Sequence, residues 1–310
     1  MVQPEHVSQH MQRVTSNSPK KTRSPRATSP GKLLRAALRV EKPLQLAGVV
    51  HAYAAILAES VGFRALYLSG AGVANASYGV PDIGLTTLDD VLIDVRRITS
   101  ATKLPLLVDA DTGWDNPRIT VREMIREGAA GIHLEDQVEA KRCGHLAGKQ
   151  LVPAKEMVAR LKAAVAGKTD PQFVIMARTD AAGVEGLDAA IERAKLYHAA
   201  GADMIFAEAL TTLAEYRKFT AAVKIPVLAN ITEFGKTPLF TTRELKSAGV
   251  RLVLYPLSGF RAMNAAALKT YQTIRNDGTQ RRVVKQMQTR AELYQFLGYD
   301  GEQLKIKNAK

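Results

Sequence analysis

Lys141-Arg142-Cys143-Gly144-His145 contains the only cysteine of the 310-residue chain. A single thiol cannot close an internal disulfide, and it lacks the partners of a structural zinc site. The flanking cations favour thiolate over thiol, which suits this sulfur to carrying a proton or attacking an electrophile. Asp109 and Asp111 are two residues apart, so on a regular strand they share a face. Two carboxylates that close repel unless a cation or a proton joins them. Together with Glu135 they form an all-oxygen set, suited to Mg²⁺ or Mn²⁺ and unsuited to zinc. Arg178 adds a planar fork able to grip a carboxylate bidentately. Ser69-Gly70-Ala71-Gly72 can offer backbone N–H groups to an anion. Tyr67 is either a core aromatic or, beside a metal and cations that lower its pKa, a base.

These residues must be brought together by the elements that carry them. Eight short apolar runs, at 44–50, 65–68, 106–108, 131–134, 173–177, 204–207, 227–229 and 252–254, read as buried parallel strands. Helical periodicity fills the intervals at 52–61, 88–100, 120–126, 154–166, 187–199, 213–223 and 242–248, and a longer helix is expected at 259–274. Gly62, Gly128, Gly201 and Gly249 each follow a helix and precede a strand, where a helix end often needs a positive φ. Eight strand–helix units close most simply into a (β/α)₈ barrel of the TIM type. An open doubly wound sheet is the alternative, but no Gly-x-Gly-x-x-Gly follows the first strand.

In such a barrel the chemistry sits at the C-terminal ends of the strands. There the chain places Ser69-Gly70, Asp109 to Gly113, Glu135-Asp136, Arg178 to Asp180, Glu208, and Asn230-Ile231-Thr232. Polar groups at six successive strand ends imply one convergent site. Asp136 and Asp180 could equally be helix caps. His133 lies inside its strand, two residues before Glu135, and reads as a packed core histidine. Arg261 and Arg290 have no such placement and read as surface residues on spacing alone.

The net charge of +13 is concentrated in residues 1–40, which hold eight Lys or Arg against one acid, Glu5. Rich in Ser, Thr and Pro, residues 1–30 are expected to form a disordered basic tail, with the barrel at 31–278 and a helical extension at 279–310. The tail reads as solvated; a transit peptide or an anionic docking arm is the other reading. A charge confined to a tail does not indicate nucleic acid as a partner. No apolar run is long enough to span a membrane, and the lone cysteine points to a reducing compartment.

The chain resembles the isocitrate lyase and phosphoenolpyruvate mutase superfamily, and within it the 2-methylisocitrate lyases, over about residues 33–299. The pentapeptide around Cys143 is similar to the signature of the carbon–carbon lyase branch. The likeness continues through Leu66-Tyr67-Leu68-Ser69-Gly70, Val108-Asp109-Ala110-Asp111-Thr112-Gly113, His133-Leu134-Glu135-Asp136-Gln137 and Met176-Ala177-Arg178-Thr179-Asp180. It extends to Asn230-Ile231-Thr232-Glu233-Phe234-Gly235, Tyr255-Pro256-Leu257-Ser258, Arg261-Ala262-Met263-Asn264 and Gln288-Thr289-Arg290. Isocitrate lyases proper usually carry a large insertion for which this chain has no room.

The resemblance implies Mg²⁺-dependent cleavage of 2-methylisocitrate to pyruvate and succinate, a step of propionate catabolism by the methylcitrate cycle. A related isocitrate or 2-oxo diacid lyase is the alternative, since one methyl group separates the substrates weakly. By resemblance Asp109, Asp111 and Glu135 serve the metal, Cys143 delivers a proton to succinate, and Tyr67 is the candidate base. Ser69, Gly70, Ala71, Cys143, Gly144, Arg178, Glu208, Asn230, Ile231, Thr232, Arg261 and Arg290 correspond to substrate-binding positions, which moves the last two arginines from surface to ligand. Asp82 matches a position on an active-site loop. The resemblance further implies a cytoplasmic homotetramer, a dimer of dimers whose last helices are exchanged between subunits; a mitochondrial matrix location would apply if the tail is a transit peptide. One departure stands out: Trp114-Asp115-Asn116-Pro117 runs about four residues shorter than the family's usual loop, which puts metal access or rim shape in question.

Overall fold

The computed structural model describes residues 28–138 and 149–299. Eight parallel strands pair in chain order and close on themselves: β1 Leu44–Gly48, β2 Ala65–Leu68, β3 Leu106–Asp109, β4 Gly131–Glu135, β5 Val174–Thr179, β6 Met204–Ala207, β7 Val227–Asn230 and β8 Leu252–Tyr255. Successive side chains of a strand point to opposite faces. In a closed barrel one face therefore fills the lumen and the other lies under the helices. Leu46, Leu107, Val174, Met204, Leu228 and Leu252 pack inside. Leu66, Val108, Ile132, Ile175, Ile205 and Val253 pack outside, against the helices.

The helices are α1 Pro30–Val40, α2 Ala52–Ser60, α3 Gly70–Gly72, α4 Leu88–Ala101, α5 Pro117–Arg126, α6 Ala154–Ala166, α7 Leu187–Ala199, α8 Leu213–Val223, α9 Thr242–Ser247, α10 Ser258–Asp277 and α11 Arg290–Leu297. Their starts are written into the chain. Thr87, Thr212, Thr241 and Thr289 each form a reciprocal capping box with an acid three residues on, satisfying N–H groups that the first helical turn leaves unpaired. Gly62, Gly128, Gly201 and Gly249 all adopt the positive φ expected of them.

Several boundaries differ from expectation. The expected tail spans residues 1–30, yet Ser29 caps α1 and its hydroxyl bonds Asp170, so the folded chain already includes Ser29. Pro at the first helical position suits a helix start, because its missing N–H would be unpaired there anyway. α1 crosses the N-terminal ends of the strands: Leu34 and Leu38 join the lumen core, and Arg35 pairs with Asp203 just before β6. Residues 1–27 lie outside the described residues. β1 ends at Gly48, where an added Cβ would fall 1.8 Å from the Pro256 carbonyl oxygen. β5 continues through Arg178 and Thr179, and α5 begins at Pro117, capped by Asn116, so the shortened loop is absorbed directly into a helix start. Finally, the Ser69-Gly70-Ala71-Gly72 run opens a helical turn, α3, which widens into a π-helix at Val73–Ser77.

The helix after β8 carries little of the core. α10 runs for 20 residues with Thr273 its one buried residue, while Met263, Leu268, Tyr271 and Ile274 are exposed. Between β1, α2 and the start of α10 lies an apolar cavity of about 540 Å³, lined by Val49, Leu57, Phe63, Phe260 and Met263 among others. The expected C-terminal extension is helical through α11, which packs on α2; residues 300–310 lie outside the described residues.

Candidate active site

The inward alternation that fills the lumen with apolar side chains delivers polar ones at the upper end of each strand. Tyr67 follows Ala65 on β2, Asp109 follows Leu107 on β3, and His133 and Glu135 follow Gly131 on β4. Arg178 follows Met176 on β5, Glu208 follows Phe206 beyond β6, and Asn230 follows Leu228 on β7. The register sets Asp109 beside His133, Glu135 beside Arg178, and Arg178 beside Phe206. All of these groups are buried.

The carboxylates of Asp109 and Asp111 meet, but not through the pleat. β3 ends at Asp109, and Asp111 takes a left-handed φ of +48°, with its N–H donating to Asp109 Oδ1 at 3.2 Å. Aspartate tolerates that conformation through such local bonds. Gly70 sits against both: its N–H donates to Asp109 Oδ2 at 3.1 Å. A Cβ on Gly70 would stand 3.2 Å from that oxygen and 3.3 Å from Asp111 Oδ1. The pair thus forms a two-carboxylate seat kept open by a glycine. Among the described residues no group of three or more His, Cys, Asp or Glu side chains could hold a metal ion. Mg²⁺ fits the two that converge, because it retains several waters and commonly takes one or two carboxylates. Glu135 faces Arg178, with Oε2 3.3 Å from Nη1.

Arg178 is the centre of charge. Its Nε and Nη2 donate to Asp180 at 3.0 and 3.1 Å, Glu208 Oε2 lies 3.7 Å from Nη2, and the guanidinium carbon sits 5.1 Å from the centre of the Phe206 ring. Burial alone would lower the guanidinium pKa, but Asp180, Glu135 and Glu208 outweigh it and hold the group well above its ordinary value. Asp180 heads a short 3₁₀ turn without capping it; its carboxylate binds Arg178 and Lys149 instead. Burial pushes that carboxyl up, and the two cations hold it below the usual range. Asp136 accepts from the Asp180 N–H, Thr179 and Tyr197, so it braces the end of β5 rather than capping a helix. Burial, joined by the charge of Asp180, keeps its carboxyl above the usual range despite those bonds.

Tyr67 is buried at the end of β2, beside Asp109 and His133. Burial first, then the charge of Asp109, pushes the phenol well above its ordinary value, against the lowering influence of Arg178. Its oxygen lies 2.8 Å from His133 Nε2 and 3.4 Å from Asp109 Oδ2, with the two rings stacked at 5.7 Å. His133 is buried as a core residue, yet it is also hydrogen-bonded into the site. Asn230 donates to Glu208 Oε2 at 3.3 Å, and Ser69, Ile231 and Thr232 are buried close by in the chain.

Arg261 and Arg290 stand apart from this cluster. Arg261 is about half exposed, its guanidinium 5.5 Å above the Phe234 ring and 3.7 Å from Glu233. Arg290 is exposed in the first turn of α11. Asp82 is half-buried in the segment between the π-helix and α4, and Trp114 ties the shortened loop to that segment by donating to the Thr86 carbonyl at 3.0 Å. Cys143 and Gly144 lie outside the described residues. Sequence reasoning missed Lys149, whose ammonium is buried against Asp180; no spacing rule marks a lone lysine as buried.

A family model for phosphoenolpyruvate phosphomutase matches residues 34–275. The chain is 62% identical over 274 residues to a 2-methylisocitrate lyase of Shewanella oneidensis, covering 87% of this chain and 94% of that protein. It is 59% identical over 284 residues to a 2-methylisocitrate lyase of Escherichia coli, covering 90% and 96%. The crystal structure of 2,3-dimethylmalate lyase, a member of the PEP mutase/isocitrate lyase superfamily, superposes with a TM-score of 0.83 at 33% identity, covering 91% of this chain and 95% of that one.

The seat at Gly70 is directly testable. Gly70→Ala places a methyl group against both aspartates, and the expected result is Mg²⁺ affinity reduced about tenfold or more by calorimetry, with an unchanged circular dichroism spectrum. Unaltered affinity would show that the cation does not sit there.

Proposed function

The chain belongs to the phosphoenolpyruvate mutase and isocitrate lyase superfamily, and from that membership we propose that it is a carbon–carbon lyase cleaving 2-methylisocitrate to pyruvate and succinate. The observation that carries this reading is the convergence of Asp109, Asp111, Glu135, Arg178, Glu208 and Asn230 at one barrel mouth, in a chain so close to proteins of that name over nearly their full length. By the same membership the reaction uses a divalent metal, which we take to be Mg²⁺, with Mn²⁺ as a substitute. Asp109 and Asp111 would hold it, and Glu135 would act from beyond its direct ligands. When bound, the cation supplies positive charge for the oxygens of the reacting carbon and for the pyruvate product.

The chain's own residues account for the proton movements. A neutral phenol cannot begin the reaction by itself, but Tyr67 is hydrogen-bonded to His133. As the substrate hydroxyl gives its proton to the Tyr67 oxygen, Tyr67 passes its own to His133 Nε2. The carbon–carbon bond then breaks, and its electron pair remains on the departing succinate carbon, spread into the adjacent carboxylate. The Arg178 fork steadies a substrate carboxylate, and Cys143 transfers its thiol proton to that carbon. Solvent returns a proton to the thiolate and removes one from His133. Glu208, Asn230, Ile231 and Thr232 line the pocket with Ser69, Gly70, Ala71 and Gly144. Arg261 and Arg290 bind the outer carboxylates of a tricarboxylate substrate.

The assembly is a homotetramer in this reading, in the cytoplasm. The exposed apolar side of α10 and the apolar cavity beside it supply the surfaces that exchanged helices would cover. No helix among the described residues is long and apolar enough to cross a membrane.

Incubation with 2-methylisocitrate should release pyruvate and succinate, and EDTA should abolish the release until Mg²⁺ is restored. Glyoxylate from isocitrate as the faster product would assign the chain to the neighbouring activity. Cys143→Ser is expected to retain fold and metal affinity while losing most turnover, on the order of 10²-fold or more; a wild-type rate refutes the proton-donor role. Sedimentation equilibrium should give four times the 33.7 kDa chain mass. A monomer at micromolar concentration would leave the α10 surface unexplained and defeat the tetramer.

A further inference from the structure

Lys149 is a lysine with only 4% of its side chain exposed, paired with an aspartate that is fully buried. Such a pair is poor evidence for stability, because removing both charges from water offsets most of their attraction. What it does supply is geometry. Asp180 Oδ1 receives Lys149 Nζ and also Arg178 Nη2 at 3.1 Å, while Oδ2 receives Arg178 Nε at 3.0 Å. The terminal torsion of an aspartate is broad and roughly two-fold, so the Arg178 fork fixes this carboxylate relative to itself but leaves the pair free to shift together. Lys149 ties Oδ1 to a second point outside that pair. The Asp180 backbone is fixed as well, since its N–H donates to Asp136 Oδ1 at 2.9 Å.

Lys149 is itself held in place. Val138 N–H donates to the Gln150 carbonyl at 3.1 Å and Val152 N–H to the Asp136 carbonyl at 2.9 Å, which pins the chain on the C-terminal side of Lys149. Glu135 stands 3.3 Å from Nη1, and Glu208 stands 3.7 Å from Nη2, the nitrogen it shares with Asp180. Asp180 is the carboxylate that binds the guanidinium through two hydrogen bonds, whereas Glu135 and Glu208 each approach a single nitrogen.

We propose that Lys149 is a positioning residue that acts through Asp180 to hold the Arg178 guanidinium in the orientation that receives a substrate carboxylate. The inference rests on the lyase reading only for the identity of the bound anion. An arginine that grips a carboxylate equally in ground and transition states affects KM and leaves kcat nearly unchanged. Lys149 therefore influences substrate affinity from a position that touches no substrate.

The test is a double-mutant cycle on the full-length chain, read by succinate calorimetry in the presence of Mg²⁺ and by steady-state kinetics. Lys149→Met should weaken succinate binding and raise KM by about tenfold with kcat within about twofold, and Lys149→Arg should restore most of the loss. In an Asp180→Asn background the same Lys149→Met change should cost less than about twofold, because the residue it acts through is already altered. If Lys149→Met does not fold, Lys149→Gln, which leaves Asp180 a hydrogen bond, takes its place in the cycle. Wild-type affinity in the single variant, or additive losses in the double, overturns the proposal, as does a wild-type chain that binds no succinate. A wild-type chain that binds succinate but cleaves no 2-methylisocitrate defeats the lyase reading instead.

Discussion

A guanidinium buried at the mouth of a barrel is stable only if matched, and the matching of Arg178 organises the surrounding structure. Burial penalises its charge, and three carboxylates on three neighbouring strand ends repay that penalty. Each of those carboxylates is itself costly to bury. Asp180 is balanced by Lys149 as well as Arg178, and Asn230 donates to Glu208. Asp136, one layer behind, accepts four polar neighbours and keeps the end of β5 straight enough for Arg178 to reach the centre. The polar mouth is thus one connected network, in which removing a single charge disturbs several others.

Beneath that network the barrel interior is apolar, and the two zones meet at Tyr67, His133 and Phe206. The phenol is kept neutral by the dry lumen below and by Asp109 beside it. Asp109 and Asp111 bring two carboxylates together beside Gly70, whose missing side chain leaves room next to both. The same strand ends therefore separate two kinds of environment. One side holds a buried guanidinium, and the other a pair of carboxylates.

Much of this was legible in the chain. Parallel strands buried on both faces are short and uniformly apolar, so all eight runs stood out, and the polar residues after them marked the mouth. The junction glycines and the Thr-x-x-Asp/Glu boxes announce helix ends and starts by local chemistry that needs no tertiary context. α1 was hidden because its cap, Ser29-Pro30, closes a Ser- and Pro-rich stretch that looks unstructured throughout. The left-handed turn at Asp111 was hidden because a period-two pattern predicts the same proximity for a different reason. The rise that burial gives the Tyr67 pKa could not be read without knowing how dry its surroundings are.

The sequence by itself determined which chemical groups reach the mouth, since strand order and side-chain alternation are local properties that closure merely bends into a ring. It also determined the family, because the motifs lie at those strand ends. Only the tertiary structure decided which charges pair. Asp180 could have capped a helix, Arg178 could have faced solvent, and Lys149 carried no signal whatever. Their partnership depends on the register of neighbouring strands and on a chain segment returning beside β5, and electrostatic energy depends on distance and burial rather than on separation along the chain.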